Sequence, residues 1–428
     1  MSVLLAVSFF FCNFARYFVY SPCCGGKETM FIYFWILRLA ALFGHSKAKK
    51  IVKGQREAIT ALQEWRAAVT APVLWIHVAS VGEFEQVRPI IERLRENRTA
   101  RKIVLTFFSS SGYEMRKDYD KVDKVLYLPF ATKRNAKKWL HALQPEMAVF
   151  VKYEFWPAYL LRLKKQNIPT YLISAIFRPK QLFFRPWGTL YRRLLHCFTH
   201  IYVQDQASAQ LLLRYGIEPV TVAGDTRFDR VTEVRSAAKE LPVVQMFAGE
   251  KTRVLVAGST WPEEEQMLAR YVSEREDIRL ILVPHELHEN HLQQIFQYFE
   301  GRYVRYSEAS PMSVSMARVL LVDTMGLLSS IYRYGAVAYI GGGFGVGIHN
   351  TLEAAVYGMP VVFGPNWKKF REAQGLQEAG AAISVKNYRE LAAALDCAFD
   401  QQQVMGQAAA SYVQSECGAT EKIYREIF

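Results

Sequence analysis

From Val73 onward, short apolar runs alternate with amphipathic stretches, and this constrains the fold more than any other feature. Apolar runs separated by helical patterns build βα units and a parallel sheet. The expected strands are 73–78, 102–107, 125–128, 147–151, 170–174, 200–203 and 220–222, with helical segments such as 84–95 and 207–215 between them. A second series follows at 253–257, 279–283, 318–322, 337–340, 360–363 and 382–385. With 428 residues, 51% of them hydrophobic, the chain can fill two cores. The expected class is α/β, with two Rossmann-like, doubly wound domains facing a central cleft. The boundaries read as 51–228 for the first domain, 229–250 for a polar linker, 251–403 for the second domain, and 404–428 for a C-terminal helix crossing back to the first.

The N-terminus is apolar twice. Residues 1–15 are uncharged, and residues 30–44 (MFIYFWILRLAALFG) carry one charge, Arg38. Each is shorter than the roughly 20 residues that cross a bilayer. Lys47, Lys49, Lys50, Lys53 and Arg56 follow, and such a basic cluster stays on the cytoplasmic side. Residues 30–50 therefore read as a membrane-associated helix. A signal peptide is the competing reading for 1–25, and a start at Met30 would make 1–29 an upstream extension. The six cysteines are scattered without a CxxC pair, which argues against a disulfide framework and a cysteine-bound metal.

The net charge is +13, unevenly spread. The 50 residues 155–204 hold no Asp or Glu but eight cations, among them Arg178, Lys180, Arg185, Arg192 and Arg193. Phe183, Phe184, Trp187 and Tyr191 are interleaved. This mixture suits an anionic membrane surface or a phosphorylated lipid. Nucleic acid is the rival partner, and a solvated face with ordinary core aromatics is the bland reading.

Five segments carry the chemistry. In residues 75–95 a strand ends at Val78 and Glu83 opens a helix, whose N-terminus favours a carboxylate. Glu83 is a candidate general base, or simply a capping residue. Glu154 follows a second strand in the same way, with Trp156-Pro157 at a helix start; its alternative is an ion pair with Lys152. Ser259 and Thr260 follow the first strand of the second series, where they grip a phosphate or cap the next helix with Glu263 in a capping box. His285, His288 and His291 lie too far apart along a helix to share a metal easily; His285, after strand-end Pro284, reads as a substrate contact. Finally, five glycines fall within residues 341–347. The turn Gly341–Gly343, then His349, Asn350 and Glu353 at a helix start, form a nucleotide cradle, with Asn350 and Glu353 also readable as a helix cap.

Taken in order, HVASVGE (77–83), EFWP (154–157), AGSTWPEEE (257–265), DTMG (323–326) and GGGFGVGIHNTLEAAVYGMPVVFGP (341–365) resemble the 3-deoxy-D-manno-octulosonic acid (Kdo) transferases. The likeness runs from about residue 30 to the end. It implies a GT-B glycosyltransferase of lipopolysaccharide synthesis. Such an enzyme moves Kdo from CMP-Kdo to a lipid A precursor with inversion, using neither metal nor cofactor. It implies partners in CMP-Kdo, the lipid A precursor and the cytoplasmic face of the inner membrane, and no nucleic acid. By motif match, Glu83 is the base and Glu154 a second essential acid in the acceptor domain. Ser259, Thr260, Gly341–Gly343, Asn350 and Glu353 hold the CMP moiety. Many members carry Arg-His where this chain has His285-Glu286, and Glu where it has Leu327. The alternative is another GT-B nucleotide-sugar enzyme, a UDP-sugar transferase or UDP-sugar 2-epimerase.

Overall fold

The computed structural model describes residues 27–249, 253–299, 301–345 and 347–428, so the readings at 1–26 lie outside the described residues. The chain divides into two compact units. One comprises the residues up to Asp229 together with Gly418–Phe428, the other Arg230–Cys417.

The first unit is built on β1 (Val73–Val78), β2 (Lys102–Phe107), β3 (Lys124–Tyr127), β4 (Met147–Val151), β5 (Thr170–Ala175), β6 (His200–Val203) and β7 (Val220–Val222). Their order is β3-β2-β1-β4-β5-β6-β7, with every pairing parallel. All six residues of β1 are buried, as a strand covered on both faces requires. Its side chains still alternate between faces. Val73 and Trp75 join one core with Trp139, Phe150 and Tyr159; Leu74, Ile76 and Val78 join another with Phe84, Ile90, Ile423 and Ile427. The Trp75 ring meets Phe150 edge-on at 5.3 Å and Tyr159 at 5.6 Å. The chain winds outward from β1 to β3 and then returns to lay β4 on the other side of β1. This reversal sets the loops after β1 and β4 side by side.

The second unit repeats the plan with β8 (Arg253–Thr260), β9 (Ile278–Pro284), β10 (Tyr303–Arg305), β11 (Val319–Leu321), β12 (Val337–Ile340), β13 (Val361–Phe363) and β14 (Ala382–Ser384). The order is β10-β11-β9-β8-β12-β13-β14, so the switch lies between β8 and β12. β10 has no counterpart in the expected strands: it is a three-residue edge strand with a single buried side chain.

Three stretches are organised differently from the sequence reading. The single helix expected at 30–50 is two, Lys27–Leu42 and Ser46–Ala67. Gly44 (φ +92°) breaks the run, and His45 caps the second helix by accepting the Ala48 N–H. Trp35, Leu39 and Leu42 form an exposed apolar stripe on the first helix, continued by Phe43. Among the described residues no helix is long and apolar enough to cross a membrane. The linker at 229–250 holds helices Thr226–Ser236 and Pro242–Ala248, and Arg235 donates to the Val356 carbonyl at 2.9 Å. Its polarity belongs to exposed helix faces. The C-terminal stretch is likewise two helices, Gln402–Ser415 in the second unit and Ala419–Ile427 in the first, divided at Gly418 (φ +108°).

Asp229 fastens the last helix, its carboxylate accepting the N–H groups of Gly418 at 2.6 Å and Thr420 at 2.7 Å. Asp229→Ala should cost about 1–2 kcal/mol, as loss of a helix cap does. Hydrogen exchange should accelerate over residues 419–427, and unchanged protection there would remove this role.

Candidate active site

The first cluster lies at the carboxyl ends of β1 and β4. Glu83 sits in the first turn of helix Val81–Glu96, 8% exposed, with its Oε2 accepting the Ala79 N–H at 2.5 Å. It therefore does brace its helix start, but it does so while buried beside a second acid. Glu154 is 5% exposed and receives the Trp156 indole N–H at 2.6 Å. Glu154 Oε2 lies 2.9 Å from Nε2 of His77, a wholly buried residue of β1. His77 Nδ1 faces Thr106 on β2, at 2.9 Å from the hydroxyl and 3.2 Å from the carbonyl.

Burial dominates the electrostatics of this group. It pushes the Glu83 carboxyl up to about 8, helped by the nearby Glu154 charge and opposed by the Ala79 N–H, Lys152 and His77. It pushes Glu154 up to about 7 against the Trp156 hydrogen bond. It pulls His77 down to about 3, although Glu83 and the Thr106 carbonyl act the other way. Lys152, in left-handed backbone (φ 62°) at the end of β4, also helps hold the buried Asp225 low, chiefly with Arg227. A strained non-glycine residue at a strand end is a common mark of a functional site. A buried carboxyl tuned near neutrality is what a general base requires.

The second cluster surrounds the switch of the second unit. Ser259 adopts φ +55° at the end of β8, and the Gly341 N–H donates to Gly258 at 2.9 Å. A Cβ on Gly341 would lie 2.2 Å from the Ser259 carbonyl oxygen, and one on Gly343 would lie 2.6 Å from the Gly364 backbone, so this close approach requires glycine. The Gly342 N–H, in the turn expected to cradle the nucleotide, meets a carboxylate of the chain. Glu264 accepts from Gly342 at 3.0 Å, from Phe344 at 3.4 Å and from Trp261 at 3.1 Å. The helix start is capped one residue later than expected, by Trp261 and Glu264 rather than Thr260 and Glu263. Thr260 is fully buried and its hydroxyl donates to Glu265 at 2.9 Å, which turns it away from a phosphate role.

Beside this turn three rings stack. Trp261 and His285 lie 4.8 Å apart and nearly parallel, and His285 and His349 are 4.5 Å apart. Burial and the neighbouring His285 hold His349 down near 4, so the platform is neutral there at physiological pH. His291 bonds Glu265 at 2.8 Å, so the three histidines at 285, 288 and 291 do not converge. Among the described residues no group of three or more His, Cys, Asp or Glu side chains is placed to hold a metal. Asn350 precedes the N-cap, Thr351. Its side chain accepts the Leu352 N–H and donates to Glu353 at 3.0 Å, which ties both polar groups together at the turn.

In the acid-free segment, Arg178, Lys180, Arg185 and Arg193 are exposed beside Trp187 and Leu190, which are 67% and 66% exposed. Arg192 serves the fold. It donates to the Phe183 carbonyl and the Thr189 hydroxyl and lies over the Tyr215 ring.

Residues 50–230 match the family model described as 3-deoxy-D-manno-octulosonic-acid transferase (kdotransferase). The 3-deoxy-D-manno-octulosonic acid transferase of Bordetella pertussis is 26% identical over 423 residues, spanning 91% of this chain and 94% of that one. In sequence the chain is similar to Kdo transferases over most of its length. The Kdo transferase of Aquifex aeolicus (strain VF5) is 27% identical over 329 residues, 74% of this chain and 83% of its own. Its similarity to these curated transferases marks the chain as a glycosyltransferase. Its GT-B fold is shared with UDP-GlcNAc 2-epimerase from Neisseria meningitidis, at a TM-score of 0.59 and 17% identity, over 83% of this chain and 98% of that one.

Sequence reasoning gave no role to His77, Thr106, Trp261, Glu264 and Glu265. A polar residue inside an apolar strand was the available signal for His77, and the acidic run 263–265 was that for the two buried glutamates.

Glu83 and Glu154 hold protons in the folded state that the unfolded chain releases above about 4.5. Their contribution to stability is therefore lost as pH rises through 7 and 8. His77 acts oppositely, but only below 6.5. Net stability should fall between pH 6.5 and 8.5. Glu83→Gln keeps an acceptor for Ala79 and should flatten that fall, gaining on the order of 2 kcal/mol at the alkaline end. Denaturant titrations across this range check it; parallel wild-type and variant curves would contradict it.

Proposed function

We propose that this enzyme transfers Kdo from CMP-Kdo to a lipid A precursor, the tetraacyl disaccharide bisphosphate, at the cytoplasmic face of the inner membrane. The observation that carries the reading is Glu83, a buried carboxyl with a raised pKa beyond a strand end, in a chain similar to Kdo transferases. In the proposed reaction an acceptor hydroxyl attacks the anomeric carbon of Kdo. Glu83 takes the hydroxyl proton, the bond to the CMP phosphate breaks, and CMP leaves with the electron pair. Attack from the face opposite CMP inverts the centre. No step calls on a metal or cofactor.

Ser259, the ring pair His285 and His349, and Asn350 with Glu353 are the proposed CMP contacts. Trp261 extends the platform on which a flat base can stack. The Gly341–Gly343 turn shapes the approach to them.

The acceptor bears phosphates and acyl chains. Arg178, Lys180, Arg185 and Arg193 offer cations for the phosphates, and Trp187 and Leu190 offer apolar surface. The stripe Trp35, Leu39 and Leu42, followed by exposed Lys47, Lys49 and Lys53, supports attachment to an anionic leaflet without a full span.

Glu83→Gln should lower turnover at least ~100-fold, the scale of general-base loss, while CMP-Kdo affinity measured by calorimetry stays within about twofold. Full turnover in that variant would remove Glu83 as base, and turnover with UDP-sugars but none with CMP-Kdo would favour the other nucleotide-sugar reading. A triple change of Arg178, Arg185 and Arg193 to Ala should raise the acceptor KM about tenfold or more and weaken flotation with anionic vesicles, leaving donor affinity unchanged. Equal losses on both substrates would make these residues structural.

A further inference from the structure

His77 lies outside the roles assigned so far, yet its surroundings leave its ring few choices. It is wholly buried, with its ring edge-on to Phe150 at 5.8 Å and to Trp156 at 5.9 Å. A carbonyl can only accept, so the Thr106 carbonyl at 3.2 Å calls for a proton on Nδ1. The Thr106 hydroxyl agrees. It accepts from the Trp75 indole N–H at 2.9 Å and donates to the Ile76 carbonyl at 3.2 Å, which leaves it an acceptor towards Nδ1. With Nδ1 protonated, the 2.9 Å contact between Nε2 and Glu154 needs a second proton. Without it, a nitrogen lone pair would face a carboxylate in a dry site. Whether that proton rests on oxygen or nitrogen, the pair carries no net charge.

Glu83 is placed to ionise instead. Its carboxylate receives the Ala79 N–H, sits in the first turn of a helix, and feels the positive charge of Lys152. The charged or titratable groups acting on it are Glu154, Lys152 and His77; Asp225 is engaged by Arg227. A charged Glu154 would hold the proton on Glu83 and silence it.

We propose that His77 is a positioning residue that keeps one proton in its contact with Glu154, so that Glu83 ionises with no second carboxylate charge beside it. The inference rests on Glu83 being the base. It assigns Glu154 a neutral, proton-retaining role that the sequence motif does not specify.

The test is the pH dependence of kcat in three variants, together with a carboxyl-¹³C glutamate NMR titration that needs no substrate. His77→Asn keeps a donor for Thr106 but does not reach Glu154. Its acid limb should move up by about one pH unit, an approximately tenfold loss near the wild-type midpoint, with donor affinity unchanged. Adding Glu154→Gln should return the limb, because an amide carries no charge. Glu154→Gln alone, whatever it does to kcat, should leave the limb where the wild type has it. That variant also stands as the test should His77→Asn fold poorly. In the titration, the Glu83 carboxyl should ionise before Glu154 in the wild type, because the His77 contact retains the Glu154 proton. This reverses the order that burial and charge alone give them, about 8 and about 7. In His77→Asn, Glu83 should ionise after Glu154. A His77→Asn profile that is merely scaled down at every pH would overturn the proposal. So would a limb that Glu154→Gln moves by itself, or an unchanged order of ionisation. Absent Kdo transfer with the expected titrations would count against the reaction and not against His77.

Discussion

Pairing β4 directly against β1 is the constraint on which the candidate site rests. The pairing aligns His77 with Phe150 and sets the loops after the two strands next to each other. Each loop turns into a helix, and each delivers a glutamate. Because the sheet is covered on both faces, the glutamates arrive in a dry place, where charge is costly and protons are retained. The site is thus a consequence of the winding order: strands that neighbour each other in space but not in sequence place Glu83 and Glu154 together.

The second unit uses the same device for a different end. Its switch lies between β8 and β12, and backbone rather than side chain comes into contact there. Gly341 and Gly343 admit that contact, and Glu264 fixes the turn by collecting three N–H groups. The glycine-rich stretch is therefore first a packing solution. What it presents outward is the row of rings at Trp261, His285 and His349, beside the tied pair Asn350 and Glu353.

Much of this was legible in the sequence. The strands of both series were visible because buried parallel strands are continuous apolar runs. Glu83 and Glu154 stood out as acids directly after such runs. The short edge strand β10 was not visible, since three residues with one buried side chain leave no period to read. The helix breaks at Gly44 and Gly418 were hidden because apolar or amphipathic character continues across them. Arg192 and Thr260 looked like ligand contacts by residue type; only the structure reveals that each serves an internal partner. His77 was the opposite case: its importance lies in a contact 77 residues away, which local pattern does not encode.

In the proposed reaction this protein moves Kdo from CMP-Kdo onto a lipid A precursor. Incubating the full chain in anionic vesicles with both compounds, and weighing the lipid by mass spectrometry, tests it most directly. The account predicts a lipid heavier by one or more Kdo residues, with CMP released in equal number. An unchanged lipid under conditions where the protein is folded and bound to the vesicles would contradict it.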